Sequence, residues 1–90
     1  MKIEENNVDI KLIQPDSIIF YEVKPYDLAE DCIISGLGQL LSSVFFDTYE
    51  RQKKIKVIGP YPPDEDEKKF ISFLQGNLTI DFDYECFEIE

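Results

Sequence analysis

The sequence predicts an α/β domain: a mixed β-sheet flanked by helices, with elements in the order ββαβαβ. Three observations lead there. Short β-branched and aromatic runs recur at 8–13, 18–24, 54–58 and 78–87. Two stretches with apolar residues at helical spacing separate the later runs. Proline, glycine and aspartate punctuate the junctions.

In the first run Val8, Ile10 and Leu12 alternate with Asp9, Lys11 and Ile13, so a strand with one better-buried face is expected. Gln14-Pro15-Asp16-Ser17 is a turn signal. Ile18 to Lys24 reads as a second strand, and Pro25 ends it because proline cannot donate to the ladder. Asp27-Leu28-Ala29-Glu30 has the form of a capping box. Beyond it Ile33, Leu37, Leu40, Leu41 and Val44 keep helical spacing. Gly36 and Gly38 each cost that helix roughly 1 kcal/mol relative to alanine, so close approach to a sheet is their expected use. Lys54 to Ile58 is a short third strand closed by Gly59-Pro60. Asp64 to Glu67 suit the first turn of a second helix, where the macrodipole favours acids. Phe70, Phe73 and Leu74 form its expected buried stripe, and Gly76 its expected stop. From Leu78 to Phe87 apolar and acidic residues alternate, as in a half-exposed edge strand.

The 90 residues accommodate one domain, 1–90, with a polar, flexible tail expected over 1–7. Composition narrows the function. Nine basic against 19 acidic residues give a net charge of −10, whereas a free-standing nucleic-acid binder is normally basic. The absence of histidine excludes Ser-His-Asp and Cys-His chemistry and most zinc enzymes. No phosphate-cradling glycine motif is present. Cys32 and Cys86 lack metal-knuckle spacing, so reduced cytoplasmic thiols are expected. No apolar run approaches the ~20 residues of a membrane span, and neither a secretory signal nor membrane association is expected. Carboxylate, lysine and tyrosine chemistry remains.

The hairpin gathers such groups. With its turn centred between Pro15 and Asp16, paired residue numbers sum to 31 and Asp9 faces Glu22. Directly opposed residues have Cβ atoms about 4.5–5.5 Å apart, so the two carboxylates repel unless a cation lies between them. Alternation puts Lys24 on the face of Glu22. Two hard oxygen donors suit Mg²⁺ or Mn²⁺, the Val23 carbonyl between Glu22 and Lys24 offers a third, and the lysine can orient an attacking water. The bare [DE]xK pattern is weak; it recurs at Asp66-Glu67-Lys68 and Glu67-Lys68-Lys69, inside the acidic start of a helix.

Val8-Asp9-Ile10, then Phe20-Tyr21-Glu22-Val23-Lys24-Pro25, then Gly36-Leu37-Gly38-Gln39-Leu40-Leu41, together resemble the PD-(D/E)XK nuclease superfamily, with its restriction-endonuclease-like core. The resemblance covers roughly residues 8–58. It implies a hydrolase that cuts phosphodiester bonds in nucleic acid, most simply DNA. It places metal binding on Asp9, Glu22 and Val23, and catalysis on Asp9, Glu22, Lys24 and Gln39, with Gln39 reaching the site from the helix. Asp16 follows a literal proline but lies in the turn and is read as a turn residue. The family core opens with a helix that often adds an acidic ligand. Only eight residues precede Asp9, so a truncated or minimal member is expected, lacking the usual first helix.

Simpler structural roles fit the same residues. Asp9, Glu22 and Lys24 also fit a surface ion-pair cluster, and Gln39 an ordinary helix-surface glutamine. Asp81, Asp83 and Glu85 are most simply a solvated edge, and Arg51, Lys53, Lys54 and Lys56 a charge-balancing patch. Tyr21, Tyr26, Tyr61 and Tyr84 fit packing roles with wet hydroxyls. The functional alternative is a catalytically inactive, acidic protein-interaction module with the same fold. Given the negative charge, a nuclease of this kind is expected to reach nucleic acid with a partner or second subunit, and a homo-oligomer is expected.

Overall fold

The computed structural model describes residues 8–48 and 50–87, with Val8 and Asp9 as backbone alone; the expected tail over 1–7 lies outside the described residues. The elements are β1 (Val8–Ile13), β2 (Ser17–Val23), α1 (Ala29–Phe46), β3 (Gln52–Gly59), α2 (Glu65–Asn77) and β4 (Asp81–Cys86). They form an α/β domain with one four-stranded mixed sheet ordered β1-β2-β3-β4. β1 and β2 are antiparallel, while β2 with β3 and β3 with β4 are parallel.

The hairpin keeps the register that the turn dictates. Gln14 N–H donates to the Ser17 carbonyl at 2.8 Å and the Ser17 hydroxyl to Gln14 Oε1 at 2.8 Å. Every pair from Ile13↔Ile18 to Val8↔Val23 follows from that closure.

The sheet is mixed and flanked by helices as expected, and both helices lie on one of its faces. Each parallel connection steps the same way across the sheet, and right-handed crossovers that step the same way stack their helices together. Ile18 and Phe20 of β2, Ile55 and Val57 of β3, and Phe82 and Tyr84 of β4 meet Ala29, Cys32, Ile33 and Leu40 of α1 and Leu74 of α2 in one core. The other face carries Ile10, Leu12, Ile19, Tyr21, Val23 and Ile58, with Lys54 and Lys56 beside them. The better-buried face expected of β1 is not seen among its described side chains: Ile10, Lys11, Leu12 and Ile13 are all exposed, as suits an edge strand. Helices cover one face only, and a strand pattern does not say which.

The helix ends differ from expectation. α1 has Leu28 at its N-cap with no side-chain cap, so Asp27 and Glu30 make no capping box. The box belongs to α2. Asp64 accepts from Glu67 N–H at 2.8 Å, and Glu67 Oε1 accepts from Asp64 N–H at 2.9 Å. Glu67 Oε2 also accepts from Glu30 N–H at 2.7 Å, so one buried carboxylate caps both helices. Gly76 lies inside α2, which ends at Leu78 as C-cap. Phe73 is exposed and Leu74 buried, so the buried stripe is narrower than the apolar residues suggest.

β4 begins only at Asp81, because Leu78 caps α2 and Ile80 packs against the core. Its acidic residues face solvent as expected; Glu85 takes Lys56 at 2.8 Å and Asp81 accepts from Gln52 at 3.3 Å. The Glu85 hydrogen bond holds the Lys56 ammonium above its ordinary pKa. Tyr84 is not a wet tyrosine: its hydroxyl donates to the Tyr61 carbonyl at 2.7 Å. Burial pushes its pKa up to about 12. Among the described residues no helix is long and apolar enough to cross a membrane.

Candidate functional site

β2 is an inner strand, and its core-facing residues are Ile18, Phe20 and Glu22. Lys24 extends the series, because its N–H donates to the Ile58 carbonyl at 2.9 Å and so keeps to the ladder before Pro25 ends it. Glu22 and Lys24 are therefore carried into the space between sheet and α1, where they are 1% and 3% exposed. They are not a surface ion pair.

α1 admits them through Gly36. A Cβ there would stand 3.0 Å from Glu22 Cγ and 3.5 Å from Val57 Cγ2, so the glycine is the slot into which the glutamate side chain fits. Gly38, read as a second close approach, has nothing within 4 Å of its Cβ position and faces solvent. Three residues beyond Gly36, Gln39 lies on the solvent side of the cluster. Its Oε1 accepts from Lys24 Nζ at 3.4 Å, and the same Nζ stands 3.3 Å from Glu22 Oε1. A chain of polar groups thus runs from the exposed Gln39 through Lys24 to Glu22.

A carboxylate this deep is stable as an anion only with positive charge or hydrogen bonds around it. Lys24 supplies one charge. Asp9 is the Cα partner of Glu22, as the hairpin register predicts; its side chain lies outside the described residues. Val23, the last residue of β2, lies between Glu22 and Lys24 in sequence. Asp16 falls in the turn, six residues along β2 from Glu22, or roughly 20 Å at strand rise.

Sequence reasoning missed the neighbours. The Cys32 thiol reaches the Tyr26 carbonyl at 3.4 Å and the Lys24 carbonyl at 3.6 Å, pinning the loop after β2. Burial pushes that thiol's pKa up, so it is a packing group and not a thiolate nucleophile. Cys32 and Cys86 are both free. A groove of about 420 Å³ runs between β1 and the end of α1, lined among others by Lys11, Phe20, Ser43, Phe46 and Asp47. Lys11 lies 5.7 Å from the Phe20 ring centre and 3.5 Å from Asp47, which Lys53 approaches at 3.9 Å. No local pattern marks Asp47, since its partners are 36 and 6 residues away. Among the described residues no group of three or more His, Cys, Asp or Glu side chains is arranged to hold a metal.

Compared with known proteins, the chain matches no family model, and no curated protein or solved structure matches it.

Proposed function

We propose that this chain is a metal-dependent nuclease of the PD-(D/E)XK type, built on a minimal restriction-endonuclease-like core. The observation that carries the reading is the buried Glu22–Lys24 pair with Gln39 laid over it, in register with Asp9. A glutamate and a lysine inside an apolar core cost stability, since a well-packed apolar pair of the same volume is often at least as stable. Buried ionisable clusters of this kind are a mark of functional sites.

The donor set fits a hard divalent cation. Asp9 and Glu22 bring two negative charges against the single charge of Lys24, and Mg²⁺ or Mn²⁺ would reverse that balance. Asp9, Glu22 and the Val23 carbonyl would hold the ion, which when bound supplies a Lewis acid and a water of lowered pKa. Lys24 Nζ, beside Glu22, orients the attacking water and stabilises charge growing on the phosphoryl oxygens. Gln39 Oε1 fixes the direction of that ammonium and acts as a positioning residue. DNA is the favoured substrate class, reached with a partner or a second subunit because the chain carries −10.

The alternative, an acidic interaction module of the same fold without catalysis, is favoured by the same charge and by the exposed Asp81, Asp83 and Glu85. Mn²⁺ calorimetry on the parent, Asp9→Asn and Glu22→Gln, followed by cleavage of plasmid and single-stranded DNA, separates the two. The nuclease reading expects saturable binding abolished in both variants, and cleavage abolished in Lys24→Met. Binding without cleavage leaves a metal site and removes the nuclease. No binding by the folded parent removes both and leaves the interaction module.

A further inference from the structure

The outer face of α1 carries a second pattern, independent of the buried site. Ile34, Leu41 and Phe45 are 60%, 37% and 79% exposed. With the exposed Gly38 they stand at spacings of four, three and four residues. On a helix this is one narrow seam, opposite the core-facing Cys32, Ile33, Gly36 and Leu40. It lies in a chain of which 31% is charged, yet residues 32–46 contain no charged side chain.

We infer that this seam is the interface of a homodimer in which α1 packs antiparallel against α1 of a second copy. The seam is complementary to itself. Turned about a two-fold midway between Gly38 and Leu41, Ile34 meets the partner's Phe45 and Gly38 meets the partner's Leu41, because both pairs of numbers sum to 79. Each large side chain then faces a different one, and leucine fills the space left by glycine. Isologous contact of this kind is how closed dimers form. The seam offers roughly 350 Å² of exposed apolar side chain per copy, or roughly 700 Å² in the pair. That matches the apolar share of a small standard interface. The open sheet face is a poorer candidate, since Lys54, Lys56, Asp81, Asp83 and Glu85 lie across it.

The two-fold has a geometric consequence. Gln39 stands to one side of the seam, near the axis along the helix. A two-fold perpendicular to both helices keeps both Gln39 side chains on the same side of the pair.

Sedimentation over a dilution series tests the interface. The parent is expected to dimerise, and more tightly as salt screens the repulsion between two chains of charge −10. Gly38→Leu has open space in the monomer and improves helix propensity, so it leaves the fold intact. It should weaken the dimer at least tenfold by setting leucine against leucine. The exchange Gly38→Leu with Leu41→Ala restores a large residue opposite a small one, and should return affinity to within about threefold of the parent. Ile10→Ser, on the open sheet face, should change nothing. A parent monomeric at every concentration up to roughly 300 µM overturns the proposal. So does a Gly38→Leu dimer as tight as the parent's, or a dimer lost in Ile10→Ser.

Discussion

Gly36→Ala and Gly38→Ala form a matched pair in one helix that reads out the packing of the buried site. Each substitution removes glycine from a helix interior and should gain about 1 kcal/mol of helix propensity. At Gly38 nothing opposes that gain, because the new Cβ meets no atom within 4 Å. At Gly36 it meets Glu22 Cγ at 3.0 Å and Glu22 Cβ at 3.4 Å. Glu22 cannot swing away, for it is buried, with its carboxylate beside Lys24. Overpacking of this kind costs about 1–3 kcal/mol. Gly38→Ala should therefore be more stable than the parent, and Gly36→Ala less stable than Gly38→Ala by about 1–3 kcal/mol, which at this size is ~4–8 °C in Tm for each kcal/mol. Urea titrations at low protein concentration, where self-association does not contribute, measure the difference. On the proposed function, displacing Glu22 should also weaken Mn²⁺ about tenfold in Gly36→Ala and leave Gly38→Ala unchanged. Equal stabilisation of the two variants would refute the slot described for Gly36.

Lys24→Met leaves the Glu22 carboxylate buried without its lysine and should cost about 3–5 kcal/mol; adding Glu22→Gln should recover a large part, as a double-mutant cycle in urea would report. Glu67→Ala removes an acceptor from both Glu30 N–H and Asp64 N–H and, at about 0.5–2 kcal/mol per lost cap, should cost about 1–4 kcal/mol. Asp64→Ala touches only α2 and should lose about 1 kcal/mol, with far-UV dichroism melts ranking the two. Stability should fall in alkali. Tyr84 stays protonated in the fold to about pH 12 while an unfolded tyrosine ionises near ~10, so the unfolded state releases its proton first and stability drops as pH rises between those values. Lys56, also raised, contributes with the same sign, since its favourable charged form is lost as pH rises. Tyr84→Phe should flatten part of that decline in a chemical-denaturation series from neutral pH upward.

The site was legible where it depended on short range. The turn at Pro15-Asp16 fixes the hairpin sum of 31, and with it Asp9 opposite Glu22. Two-residue alternation put Glu22 and Lys24 on one face, and Gly36 announced a close approach that the structure gives to Glu22. The rest is decided by distant partners. That β1 buries neither face among its described side chains depends on the helices packing over β2, β3 and β4 instead. Asp27 reads as a cap in isolation, but the acceptor that caps α1 belongs to Glu67, 37 residues from Glu30. Leu41 fits the helical periodicity of the core residues, yet lies on the opposite side of α1 with Ile34 and Phe45. Apolar periodicity reports that a helix has a seam, not how many.

The double role of Glu67 predicts an order of events in folding. The first turn of α1 has no local side chain to hold it, so during folding it should fray until α2 has formed and docked. α2 carries its own capping box and can nucleate from its own sequence. The later helix in the chain should thus be the earlier to gain a fixed start, with the Glu30 amide protected only when the two helices meet. In native-state hydrogen exchange that amide should open with α2 as one cooperative unit, and not with the local fraying usual for a helix end.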